Sequence, residues 1–211
     1  FAIDTEFDGE RWFDAAFFKL IISTERCTYD LHLQEPAQGY GPRMFPATRG
    51  RHMHSTDPTV AERRLFDSEE ELQGFLADNA LRTKPLAAFV RDYRWCFGGA
   101  PEDLGRELGR LLCREGNRVW GQNGRVDFKL LLRLGVNVFP HVDIDTMTLA
   151  VHLDESQPYG LEALCRQYLG APNHKLPLTR WLLANPVLKR KLPYAFVPRE
   201  IIDPYASTDG R

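Results

Sequence analysis

Apolar and polar positions alternate most cleanly from Cys27 to Leu33. Cys27, Tyr29, Leu31 and Leu33 fall on one side and Thr28, Asp30 and His32 on the other, the period of a half-buried strand. Residues 1–4 and roughly 12–22 also read as strands, joined by a hairpin turn at Asp8-Gly9, so the chain is expected to open on an antiparallel meander. Residues 36–60, punctuated by Pro36, Gly39, Gly41, Pro42, Pro46, Gly50 and Pro58, read as loop. A helix over 68–78 and a strand at Leu86–Val90 follow, and Gly98-Gly99 then breaks the chain. Leu104, Leu108, Leu111 and Leu112 mark an amphipathic helix, Val119-Trp120 a strand, and Leu130, Leu131 and Leu134 a helix that begins at Asp127. Leu161, Leu164, Cys165, Tyr168 and Leu169 form a last stripe, stopped by Gly170. The pattern predicts an α/β fold: a mixed sheet, antiparallel meander first and parallel strands after, flanked by helices.

A chain of 211 residues that is 43% hydrophobic suits a single α/β domain with a decorated edge. Its formal charge of −2 excludes nucleic-acid binding by bulk electrostatics alone. Cys27, Cys96, Cys113 and Cys165 lie far apart without a Cys-x-x-Cys, and are expected to be buried reduced thiols. With no signal peptide and no long apolar run, the expected location is the cytoplasm, with no membrane partner. The chain opens with Phe1 inside a predicted strand and stops two residues past Asp209, which reads as a piece of a longer protein.

Candidate chemistry lies in the acids. Composition predicts about one Asp-x-Glu by chance, and the chain has three. Asp8-x-Glu10 sits in the predicted turn and Asp67-x-Glu69 opens a predicted helix. Only Asp4-x-Glu6 leaves an apolar run, and strand alternation puts both its carboxylates on one face. Asn123-x-x-x-Asp127 and Tyr205-x-x-x-Asp209 each occur once, at a spacing that shares a helical face. Four carboxylates brought to one point can hold two hard cations, the arrangement by which nucleases cut phosphodiesters.

In this order the three motifs resemble the DnaQ-like exonuclease superfamily, in its DEDDy branch. The chain is most similar to the 3′-to-5′ proofreading domain of family A (polymerase I type) DNA polymerases, phage ones included. The flanks Val119-Trp120-Gly121-Gln122-Asn123, Asp145-Thr146-Met147 and Tyr159-Gly160-Leu161-Glu162-Ala163-Leu164 carry the likeness over most of the chain. The stretch from about 36 to 100 is longer than in compact bacterial domains and reads as an insertion or decoration. The resemblance implies an RNase H-like fold and two divalent ions, Mg2+ or Mn2+. Asp4, Glu6 and Asp209 would hold the ion carrying the attacking water, and Asp4 with Asp127 the other. Tyr205, helped by Glu6, would orient the water. Gln122 and Asn123, with Thr5 and Phe7, would meet the terminal nucleotide. The implied partners are a single-stranded DNA 3′ end and a polymerase domain in the same full-length chain, in a bacterial or phage-infected cell. Phe7 follows Glu6 as in ribonuclease D-like enzymes, so RNA or free DNA ends remain an alternative substrate, and a non-catalytic nucleic-acid-binding scaffold is the rival from another class.

Blander roles are expected elsewhere. Asp145 reads as a helix N-cap, and Asp154 and Asp203 as solvated acids. His52-x-His54 reads as an exposed pair, and His141, His152 and His174 as isolated histidines. Arg43, Arg49 and Arg51 read as solvated charges, Lys189-Arg190-Lys191 as a cluster able to flank the cleft, and Trp95 and Phe97 as core packing.

Overall fold

The computed structural model describes residues 1–50, 56–172, 174–188 and 190–209. The meander consists of β1 (Ala2–Asp8), β2 (Ala16–Ser23) and β3 (Thr28–His32), all antiparallel. The β1–β2 connection is wider than the expected two-residue turn. Gly9, at φ +139°, starts a loop in which Asp14 and Ala15 N–H groups donate to the Arg11 carbonyl, and a Cβ at Gly9 would lie 2.8 Å from Ala15 Cα.

Residues after β3 form a satellite: β4 (Gln34–Pro36), β5 (Arg43–Phe45), β6 (Glu62–Phe66), α1 (Glu69–Asp78), β7 (Leu86–Val90) and β8 (Tyr93–Trp95). The stretch read as loop, 36–60, therefore contains a strand, β5, and the end of β4, and β6 follows just beyond it. β5 and β6 flank the fully buried β7, and β4 pairs with β8. Their signal is weak because β5 is three residues long and β6 opens on Glu62-Arg63-Arg64; pairing with β7 makes them strands, not their own pattern. Ser68 caps α1, its hydroxyl accepting from the Glu71 N–H.

The remainder alternates: α2 (Pro101–Leu112), β9 (Val119–Gly121), α3 (Arg125–Arg133), β10 (Val142–Asp145), α4 (Thr146–Leu153), α5 (Leu161–Leu164) continuing as a π-helical turn at Cys165–Leu169, α6 (Leu176–Ala184) and α7 (Arg199–Asp209). β9 pairs parallel to β1, and β10 parallel to β9, giving the order β10-β9-β1-β2-β3. The fold is α/β with a mixed sheet flanked by helices, consistent with an RNase H-like arrangement.

Two cores sandwich the sheet. On one face Ile3, Leu20 and Ile22 meet Leu108 and Leu112 of α2 and Phe128 and Leu131 of α3. On the other, Ile21 meets Leu178 of α6 and Ile202, Tyr205 and Ala206 of α7. This second face overturns one expectation: Asp30 and His32 do not look into solvent, because α7 lies over them. Cys27, by contrast, is exposed, as is Cys96, while Cys113 and Cys165 are half-buried. Phe97 packs on the main core as expected; Trp95 stands exposed against it. No helix among the described residues is long and apolar enough to cross a membrane.

Candidate functional site

β1 lies between the antiparallel and parallel halves of the sheet, and its alternation points Asp4 and Glu6 to the α7 side. α7 brings Asp209 there. Carboxylate oxygens of Asp4, Glu6 and Asp209 all lie within 4.8 Å of one another. Tyr205, one turn before Asp209, is buried beside them, and its hydroxyl donates to Asp209. The helical spacing expected of Tyr205 and Asp209 is thus met, although Pro204 sits within α7.

Asp127 is not one of those three. It is buried in the first turn of α3, and its Oδ1 accepts from the hydroxyl of Thr5, which projects from β1 between Asp4 and Glu6. Thr5 is itself buried, and its hydroxyl is spent on Asp127. Phe7 likewise packs against the main core. Gln122 is also engaged: its Oε1 accepts from the Thr146 hydroxyl and its Nε2 donates 2.9 Å to the Tyr159 carbonyl. Asn123 adopts φ 56°, a left-handed conformation asparagine tolerates, and leaves its side chain exposed. Its backbone N–H and that of Gly124 donate to Asp145, which also caps α4 at Met147 and Thr148. Asp145 is thus the expected cap, and it ties β9, the α3 entrance and α4 together.

Burial and mutual repulsion set the electrostatics. Desolvation, then Asp127 and Asp209, push the Asp4 carboxyl up to about 8. Glu6 is raised well above the ordinary carboxylate range by burial, then by Asp4 and Asp209. Asp127 rises to about 6, chiefly through burial, with the Thr5 hydrogen bond opposing it. The Tyr205 phenol is raised by burial and by Glu6 and Asp209, so it stays a proton donor. An all-oxygen, mostly buried donor set that repels itself this strongly fits a hard divalent cation, because the cation's charge relieves that repulsion.

Three residues beside the acids carry no signal of that place in the sequence: His174, Tyr194 and Lys175. His174 is not isolated: its Nε2 lies 2.6 Å from Asp209 Oδ1 and its ring stacks on Tyr205 at 5.9 Å between centroids. Tyr194 packs edge-on against Tyr205, and its phenol is raised by burial and then by Glu6 and Asp209. Lys175 Nζ lies 3.9 Å from Asp209 Oδ2 and 5.4 Å from the Tyr205 ring centre, and its charge opposes the rise of Asp4 and Glu6. A histidine beside a lysine before an apolar run carries no local signal of this role.

Other candidates fall away from the acids. Arg43 pairs with Glu69 and Arg190 with Asp67. Asp154 stays solvated in a turn with Ser156, as expected, but Asp203 does not: it pairs with buried Lys19. Arg51, His52, His54 and Lys189 lie outside the described residues. Compared with models of known protein families the chain matches none, and no curated protein matches it significantly.

Proposed function

We propose that this chain is a metal-dependent 3′-to-5′ exonuclease that removes nucleoside 5′-monophosphates from single-stranded DNA ends, as the proofreading part of a DNA polymerase. The observation that carries the reading is the meeting of Asp4, Glu6 and Asp209, from opposite ends of the chain, within 4.8 Å. Polarity and the link to a polymerase rest on the likeness of the three ordered motifs to the proofreading domains.

Asp4, Glu6 and Asp209 would hold one divalent ion, and Asp4 with Asp127 a second. Such ions, when bound, supply a water activated at neutral pH and charge stabilisation for the leaving oxygen. The remaining work belongs to the chain. Tyr205 keeps its proton, here donated to Asp209; turned from Asp209 to a water, it would fix the direction of that water's lone pair. Glu6, raised first by burial and then by Asp4 and Asp209, would accept a proton from that water once a bound cation had ionised it. Thr5 holds Asp127 in one rotamer, and His174 does the same for Asp209. Gln122 is locked by Thr146 and Tyr159, so it supports the β9–α3 turn, and the exposed Asn123 on that turn would be left to meet an entering end.

The test is digestion of a 5′-labelled single-stranded DNA and a matching RNA with Mg2+ or Mn2+, against chelator and Asp4→Ala/Glu6→Ala. The reading expects a ladder shortening from the 3′ end of DNA, absent in both controls. Preferential cutting of RNA would replace it with the ribonuclease reading, and no cutting by a folded, metal-bound protein would favour the scaffold.

A further inference from the structure

Lys19 has no exposed surface, and nothing in the chemistry above uses it. It stands on the same sheet face as the acids. Across β1, β2 and β3 the register sets Asp4 opposite Ile21 and Ile21 opposite Asp30, and in the next row Glu6 opposite Lys19 and Lys19 opposite His32. α7 lies over these rows.

A buried ammonium is costly unless paired and hydrogen-bonded. Lys19 Nζ pairs with Asp203 Oδ1 and lies 2.7 Å from Asp30 Oδ2 and 3.4 Å from His32 Nε2. His32 Nε2 is 3.1 Å from Asp203 Oδ1, and the Ser207 hydroxyl donates 3.3 Å to Asp30 Oδ2. Ligand atoms of Asp30, His32 and Asp203 also lie within 4.8 Å of one another, but the Lys19 ammonium already supplies the cation there.

The helix partners are the informative part. Asp203 and Ser207 share one face of α7 at i, i+4, and Tyr205 and Asp209 share another at the same spacing. Between the two rows lies an apolar strip in which Ile21 meets Ile202, Tyr205 and Ala206. Apolar contact is non-directional. It holds α7 down without fixing its rotation. The ion pair has one position that satisfies it, and any roll that takes Asp203 off Lys19 also takes Asp209 off Asp4 and Glu6.

We propose that Lys19 is a positioning residue: by pairing with Asp203 it sets the rotation of α7 and so places Asp209 and Tyr205 against Asp4 and Glu6. This rests on the functional reading above, and the test separates the two. Wild type, Asp203→Asn, Lys19→Met and the apolar pair Lys19→Met/Asp203→Leu are compared by thermal melting, by calorimetric Mn2+ titration, and by kcat and KM on a single-stranded oligonucleotide. A wild type that neither binds Mn2+ nor cuts would sink the nuclease reading itself. With an active wild type, Asp203→Asn should lose about a hundredfold in kcat, as for misplacement by about 1 Å, with weaker Mn2+ binding and KM unchanged. The apolar pair should recover the melting temperature while kcat and Mn2+ affinity stay low, since a well-packed apolar replacement restores stability but not direction. Wild-type kcat and Mn2+ affinity in Asp203→Asn, or recovery of melting and activity together in the apolar pair, would overturn the proposal. Asp203→Asn decides alone if the variants at Lys19 do not fold, because Asp203 is partly exposed.

Discussion

Burial and two neighbouring acids, Asp127 and Asp209, raise the Asp4 carboxyl to about 8. A metal must displace that proton, so affinity should climb with pH. Mn2+ affinity measured calorimetrically is expected to rise steeply between about pH 6 and about pH 8, with proton release that changes with buffer, and Asp4→Asn should flatten the rise. Thr5→Val tests a quieter role: it removes the donor that holds Asp127 while keeping the strand shape. It should lower kcat by roughly tenfold to a hundredfold with little change in KM. At this scale the sequence was legible where spacing encodes direction. Asp4-x-Glu6 on a strand and Tyr205-x-x-x-Asp209 on a helix each point where their period says. The resemblance implies Thr5 and Phe7 at the terminal nucleotide, whereas strand alternation turns their side chains toward Asp127 and the core. His174 escaped because a loop, not a period, carries it to Asp209, 35 residues on.

Among elements, the two helices that bring in Asp127 and Asp209 are held differently. α3 packs on the β1 face of the sheet beside α2, and the residue that ends it, Leu134, lies so close to α2 that no room is left at Gly105. A Cβ there would come within 1.7 Å of the Leu134 carbonyl oxygen, a backbone atom that cannot swing aside. Gly105→Ala should therefore cost about 1–3 kcal/mol, read as a lower denaturation midpoint, despite alanine's better helix propensity. α7 rests on a smaller apolar strip and a buried ion pair. Helices with leucine stripes, and β7 with its unbroken burial, announce themselves in sequence. β5 and β6 do not, because their identity as strands comes from the neighbour they pair with. Asp30 and His32 misled for a related reason: a polar strand face reads as solvated, and only the arrival of α7 makes it an interior one.

Over the whole molecule, the sheet puts its change from antiparallel to parallel at β1, so the motif strand is central and both helix-borne acids can reach it. Such a cluster strains the metal-free fold in a pH-dependent way. The carboxyls of Asp4, Glu6 and Asp127 are raised on folding, so their contribution is fully present below the ordinary carboxylate range and is lost as pH rises through the raised values. In chelator the melting temperature should fall from about pH 4 toward about pH 8, and Asp4→Asn should remove part of that slope. Added Mg2+ should raise melting more at the alkaline end, where binding competes with fewer protons.

If Asp4, Glu6 and Asp209 form a metal centre, anomalous diffraction from Mn2+-soaked crystals will show a peak shared by those three carboxylates, and a second on Asp4 and Asp127. Peaks elsewhere only, with the acid cluster empty at millimolar Mn2+ and alkaline pH, would contradict a metal centre there.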